Sequence, residues 1–105
     1  MKLPDVPDGF DVVAFDFDGT CATKTWPSPR LGDPIPEALE AIRYYNLKKR
    51  CQVVIFTARP ASHIPRIWEW VHRHNLQYYI YEVSNTKPVA GLYFDDHAVR
   101  PSWAM

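Results

Sequence analysis

The stretch VVAFDFDGT, residues 12–20, decides the fold class of this chain. Residues 12–15 have the short length and the β-branched or aromatic character of a buried strand. Residues 16–20 place two aspartates around a phenylalanine and then a glycine, which allows the backbone to turn tightly. The stretch therefore predicts a buried strand that runs directly into a polar turn.

Three further apolar runs have the same character as the first. They are continuous rather than alternating, which is typical of strands in a sheet that is covered on both faces. The runs are residues 53–56, 78–81 and 89–94.

Two segments between these runs have the apolar spacing of amphipathic helices. The first covers residues 34–49, and we expect Asp33 to be its N-cap. The second covers about residues 62–75, where the apolar stripe includes Trp68 and leaves Trp70 to one side. We therefore expect Trp68 in the core and Trp70 partly exposed.

The alternation of strands and helices predicts the α/β class. We expect a three-layer, Rossmann-like domain whose sheet is short and mostly parallel, with about four strands in the order 4-1-2-3. Its 105 residues fit a single domain over residues 1–105. Residues 21–33 show no periodicity and are expected to form a long ordered loop, which we call the flap.

Composition excludes several classes of protein. Twelve basic and twelve acidic residues give a formal charge of zero, so no global field attracts nucleic acid or an anionic membrane. No apolar run approaches the ~20 residues of a membrane span, and the charged start lacks a signal-peptide core. We expect a soluble, cytoplasmic protein with no membrane partner, in which Cys21 and Cys51 are free thiols.

Polar residues gather where the predicted strands end, and in open parallel sheets ligands bind at the carboxyl ends of the strands. Four crowded carboxylates need a countercharge, for which Mg²⁺ with oxygen ligands is the usual solution. Such a cation beside a lysine, a hydroxyl and backbone N–H groups suits phosphate chemistry. The residues concerned are Asp16, Asp18, Gly19, Thr57, Arg59, Lys87, Asp95 and Asp96.

Over residues 11–97 the chain resembles the haloacid-dehalogenase-like (HAD) phosphohydrolases, most closely the small capless phosphatases of bacteria and phages. The resemblance rests on FDFDGT at 15–20, IFTAR at 55–59, KP at 87–88 and YFDD at 93–96. It implies an Mg²⁺-dependent phosphomonoester hydrolase that works through an aspartyl phosphate.

The resemblance also implies roles for individual residues. Asp16 would be the nucleophile, and Asp18 would be the general acid and then the general base. Thr57 would bind the transferring phosphoryl group, and Lys87 would neutralise charge on it. The implied metal ligands are Asp16, the Asp18 backbone carbonyl, Asp95 and, directly or through water, Asp96.

No cap domain is expected, because residues 21–33 are too short to form one. An open site suits bulky phosphates, including nucleotides and nucleic-acid ends, and a second subunit of a homo-oligomer could add contacts. Trp26 either contacts the substrate or acts as a hydrophobic plug that pins the flap. The residues assigned to phosphate or substrate binding are Gly19, Thr20, Ala58, Arg59, Trp26 and Arg30.

Two other functions stay open at this point. A receiver-like signalling domain also combines an acidic pair with a phosphorylated aspartate, but its acidic pair comes on the first strand. A non-catalytic phosphate-binding module would keep the site without turnover. His97 is expected to have a structural or solvent role, and Trp103 completes either the core or a dimer contact.

Overall fold

The computed structural model of the chain describes residues 3–96 and 99–101. His97 and Trp103 lie outside the described residues, and the expectations for them stay predictions. In chain order the elements are β1 (Val12–Asp16), α1 (Pro36–Leu47), β2 (Gln52–Phe56), a 3₁₀ turn (Ala61–His63), α2 (Ile64–Arg73), β3 (Ile80–Ser84), β4 (Leu92–Phe94) and β5 (Val99–Pro101).

The strands form one sheet in the order β3-β2-β1-β4-β5. The four strands predicted from the sequence run parallel in the expected order. β5 was not expected, and it pairs antiparallel with β4 at the edge of the sheet. The α/β class and the Rossmann-like topology are confirmed.

The central position of β1 explains its composition. β1 lies between β2 and β4, so Val13, Ala14 and Phe15 are all fully buried. Val13 and Phe15 belong to the large core that also holds the buried side chains of both helices, while Ala14 faces a smaller cluster with Ala90 and Tyr93. Both described helices therefore cover one face of the sheet, whereas the expected three-layer arrangement has a helix on each face. The reason is that the connections from β1 to β2 and from β2 to β3 progress in the same direction across the sheet, and the connection from β3 to β4 contains no helix. The segment between β3 and β4 contributes Ala90 to the other face.

The first helix begins two residues later than predicted, at Pro36. Ile35 precedes a proline, which disfavours the helical conformation, and it is extended at φ −95° and ψ 112°. Asp33 is not the N-cap: its N–H binds the Thr23 hydroxyl at 3.0 Å and its carbonyl accepts from the Thr23 N–H at 2.8 Å. The two ends of the flap are thus hydrogen-bonded to each other.

The expectation for the two tryptophans of α2 is wrong. Trp70 is 1% exposed, packs edge-to-face on Phe17 and donates its indole N–H to the Gly32 carbonyl at 2.9 Å. Trp68 is only partly buried against the core. The flap lies across the side of α2 that carries Trp70, so it buries a side chain that is off the sheet-facing stripe.

The later strands are shorter or shifted relative to the predicted runs. Tyr78 is 83% exposed and β3 begins only at Ile80, while Val89 is 81% exposed and β4 begins at Leu92. Cys21 and Cys51 are buried free thiols, as expected. In the described part of the chain, neither helix has the length and apolar character needed to cross a lipid bilayer.

Candidate active site

The end of β1 positions the first aspartate. Asp16 is the last residue of β1, and one of its carboxylate oxygens accepts the N–H of Phe17 at 2.9 Å. The Phe17 N–H also continues the pairing with β2, through the Phe56 carbonyl at 3.0 Å. The backbone then turns, because the N–H groups of Cys21 and Ala22 both bind the Phe17 carbonyl at 3.0 Å. Asp16 therefore stands at the carboxyl edge of the sheet with its orientation set by the following residue.

Gly19 brings this turn against the end of β4. Its φ is +85°, a conformation that side chains with a Cβ rarely adopt. A Cβ placed here would lie 2.9 Å from the Cβ of Asp96. The missing side chain is therefore what allows the acidic pair after β4 to approach the turn after β1.

The four predicted carboxylates share one electrostatic environment. The pKa of Asp16 is raised from its ordinary 3.8 to about 6, chiefly because burial penalises the charged form. The Phe17 N–H opposes this shift, whereas the negative charges of Asp96, Asp18 and Asp95 add to it. The fold thus brings the other three acids close enough to Asp16 to raise its pKa.

The chemistry of these side chains fits a hard divalent cation, since carboxylate oxygens are the preferred ligands of Mg²⁺ and a cation would relieve the repulsion at Asp16. They do not form a ready coordination shell. Among the described residues, no group of three or more His, Cys, Asp or Glu side chains is arranged to hold a metal ion. The carboxyl oxygens of Asp18 are instead committed to an arginine.

That arginine is Arg59, which follows β2. Its Nε donates to one oxygen of Asp18 and its Nη2 to the other, each at 2.9 Å. The Arg59 side chain is fully buried and that of Asp18 is 11% exposed. A bidentate ion pair of this kind fixes both the position and the plane of the carboxylate.

Arg59 also holds the flap. Its Nη1 donates to the carbonyls of Ser28 at 3.0 Å and Pro29 at 3.4 Å. Its Nη2 donates to the Arg30 carbonyl at 3.2 Å and the Thr25 hydroxyl at 3.1 Å. One guanidinium therefore connects the flap to Asp18.

Trp26 covers this contact from the flap. Its ring centroid lies 5.0 Å from the guanidinium carbon of Arg59 and packs edge-to-face on His63 at 5.6 Å. These contacts favour the plug interpretation of Trp26. Substrate contacts for Trp26 and Arg59 stay predictions, and in this conformation Arg59 is only 1% exposed.

Two threonine hydroxyls differ in how they are satisfied. Thr57 is 2% exposed, and its hydroxyl accepts the N–H of Arg59 at 3.0 Å. The buried hydroxyl of Thr20 has no hydrogen-bond partner among the described residues. Buried polar groups are nearly always paired, so an unpaired one in the turn beside Asp16 is suited to an incoming ligand atom. Ala58, between Thr57 and Arg59, is exposed.

Lys87 lies on the segment that leads into β4. Its Nζ is 4.8 Å from the ring centroid of Tyr93 and 5.8 Å from that of Phe56, the residue that pairs with Asp16 in the sheet. The Tyr93 hydroxyl holds this segment by donating to the Pro88 carbonyl at 2.6 Å and accepting the Ala90 N–H at 2.9 Å. The sequence did not indicate this positioning role, because nothing in the local pattern distinguishes Tyr93 from an ordinary strand residue.

No protein-family model and no curated protein matches the chain. A solved structure does match it, the conserved protein coded by locus from Bacteroides thetaiotaomicron, with 24% sequence identity and a TM-score of 0.66. The alignment covers 89% of this chain and 83% of that one. This likeness shows the fold.

Proposed function

We propose that the protein is an Mg²⁺-dependent phosphomonoester hydrolase of the HAD-like type, with Asp16 as its nucleophile. The observation that carries the proposal is the environment of Asp16: a partly buried carboxylate at the carboxyl edge of the sheet, with a raised pKa and three further acids acting on it. Strongly perturbed carboxylates in such positions are typical of functional sites. The sequence resemblance supplies the reaction class.

In the proposed reaction a carboxylate oxygen of Asp16 attacks phosphorus, and the bond from phosphorus to the leaving oxygen breaks. Asp18, in its protonated form, donates its proton to the leaving oxygen. A water molecule then attacks the phosphorus of the aspartyl phosphate and passes a proton to Asp18. The bond between phosphorus and the Asp16 oxygen breaks, so inorganic phosphate is released and the Asp16 carboxylate is restored. Each group returns to its starting state, so no further reactant is needed.

Arg59 holds Asp18, the candidate general acid, in place. Both oxygens of Asp18 accept hydrogen bonds from Arg59 in this conformation, so turning the carboxyl group towards a leaving oxygen would break at least one of them. The same guanidinium binds the flap carbonyls, which couples release of Asp18 to the position of the flap. We infer that Arg59 is a positioning residue for the general acid.

The remaining side chains would bind the phosphoryl group. The Thr20 hydroxyl, unpaired among the described residues, and the Lys87 ammonium suit its oxygens, and Thr57 directly follows the last residue of β2. Mg²⁺ would supply charge neutralisation. Its ligands would be the carboxylates of Asp16 and Asp95, the Asp18 carbonyl and, directly or through water, Asp96.

The test is hydrolysis of p-nitrophenyl phosphate with Mg²⁺. We expect Asp16→Asn to reduce turnover to background, and Asp18→Asn to lower kcat by about 10²–10⁴-fold because proton transfer to the leaving group is lost. Asp8→Asn, at an exposed carboxylate outside the site, is the matched control and should keep full activity.

A folded, Mg²⁺-loaded protein that hydrolyses none of a panel of nucleotides, phosphorylated oligonucleotides, sugar phosphates and phosphopeptides would contradict the proposal. A stable phosphoaspartate formed from acetyl phosphate, without turnover, would favour the receiver-like function instead.

A further inference from the structure

A basic groove lies between the flap and α2. It has a volume of about 240 Å³ and is lined by Arg30, Leu31, Arg66, Glu69 and Arg73. Three arginines and one glutamate give it a surplus of two positive charges, although the whole chain is neutral. The groove is therefore a local anion-attracting surface.

The three guanidinium groups of this groove are available to a ligand. Within the described part of the chain, none of them forms an ion pair with a carboxylate, whereas Arg59 next to the flap is fully engaged. Glu69 is three residues from Arg66 and four from Arg73, spacings at which helical ion pairs can form. Neither pair is made, so the positive charges stay open to an external anion.

The groove begins beside the proposed site. The Arg30 carbonyl accepts from Arg59 Nη2 at 3.2 Å, and the same nitrogen donates to Asp18 at 2.9 Å, so the two oxygens are about 6 Å apart at most. From Arg66 to Arg73 the groove follows α2 for about 10 Å. It therefore leads away from the carboxylate cluster along the surface.

We propose that this groove binds a second phosphate group of the substrate, next to the phosphoryl group that Asp16 attacks. Guanidinium forks match phosphate oxygens and bind them through paired hydrogen bonds. The inference rests on the proposed function and names a feature of its substrates. The second phosphate belongs either to a phosphorylated oligonucleotide, as its next phosphodiester, or to a small bisphosphate.

Binding is measured in the Asp16→Asn protein, so that no substrate is consumed. The probe is a fluorescein-labelled single-stranded 10-mer oligonucleotide with a terminal phosphate. Its binding is measured by fluorescence anisotropy in the presence of Mg²⁺ at several NaCl concentrations. The groove variant is Arg66→Gln/Arg73→Gln. The control, Arg43→Gln/Lys48→Gln, removes the same charge from α1 and from the residue that follows its last turn.

We expect the groove variant to raise Kd about tenfold and to flatten the slope of log K against log [NaCl] by about one to two. The control should change Kd less than about twofold, because its charges lie outside the groove. Equal Kd values for the groove variant and the control would overturn the proposal.

Competition separates the two sources of the second phosphate. A nucleoside 3′,5′-bisphosphate that displaces the probe better than either monophosphate, with an advantage lost in the groove variant, supports a small bisphosphate. An advantage confined to longer oligonucleotides supports a nucleic-acid strand. Monophosphates that compete as well as both would overturn a second phosphate site.

An activity measurement keeps this inference distinct from the proposed function. In the otherwise unchanged protein, Arg66→Gln/Arg73→Gln should lower the ratio of kcat/KM for the phosphorylated oligonucleotide or bisphosphate to that for p-nitrophenyl phosphate about tenfold. An unchanged ratio counts against the groove. Groove-dependent binding by a protein with no phosphatase activity would contradict the hydrolase alone.

Discussion

Replacing Arg59 with methionine tests the contact that connects the flap to the candidate active site. Methionine keeps most of the buried stem but removes the guanidinium. The Asp18 carboxylate, 11% exposed, then loses the donors to both of its oxygens. The carbonyls of Ser28 and Arg30 lose a donor as well.

The loss in the free energy of unfolding follows from these contacts. Removing one partner of a buried ion pair costs about 3–5 kcal/mol, because the other charge is left uncompensated. Asp18 lies at the low end, since it keeps some contact with water, and each lost flap hydrogen bond adds about 1 kcal/mol. With the carbonyls of Ser28 and Arg30 counted, we expect the free energy of unfolding to fall by about 5 kcal/mol, which for a domain of this size lowers Tm by roughly 25 °C.

The assay is urea and thermal denaturation followed by circular dichroism. Arg66→Met is the matched control, because it makes the same chemical change at an exposed position and should alter the free energy of unfolding by less than about 0.5 kcal/mol. If Arg59→Met does not fold, Arg59→Lys keeps the charge without the fork and should lose about half as much stability.

A double-mutant cycle with Asp18→Asn tests whether Arg59 and Asp18 are energetically coupled. Because Asp18→Asn removes the uncompensated charge, it should restore about 1–2 kcal/mol in the Arg59→Met background. A loss below about 1 kcal/mol for Arg59→Met, or strict additivity of the two substitutions, would show that the ion pair does not hold the flap and Asp18 together.

Two further predictions concern the turn and its nucleophile. Gly19→Ala should destabilise by about 2–3 kcal/mol in urea denaturation, and more than Gly9→Ala, because both have a positive φ but only the Gly19 Cβ would meet Asp96; equal losses would contradict the close approach. The pKa of Asp16 is about 6 in the folded protein and 3.8 in the unfolded chain, so its carboxyl group lowers the free energy of unfolding progressively as pH rises from about 3.8 to about 6, and the full loss remains above that. After allowance for solvent screening, Asp16→Asn should stabilise the metal-free protein by about 1 kcal/mol at pH 7.5 and not at pH 3.5; the same gain at both would refute this.

Local sequence patterns predicted the interior of the sheet well and the element ends less well. Residues 12–16 and 52–56 are central strands buried on both faces, so their continuous apolar character indicates their structure directly. The start of α1 depended on Pro36 and its effect on Ile35, which outweighed the capping tendency of Asp33. β3 begins later than the tyrosine-rich run suggests, since β-propensity does not distinguish an exposed aromatic such as Tyr78 from a buried one.

The sequence by itself determined the α/β class, the strand order and the end of the sheet where the acids gather. These properties follow from short-range periodicity and from the handedness of the connections, which act between neighbours along the chain. Only the tertiary structure decided that Arg59 is buried against Asp18, that Trp70 is covered by the flap, and that three arginines line one groove. The physical reason is distance along the chain: Arg59 and Asp18 are 41 residues apart, and Trp70 and Gly32 are 38 apart. Contacts between such distant segments leave no local pattern, and they arise only when the helices and the flap pack on the sheet.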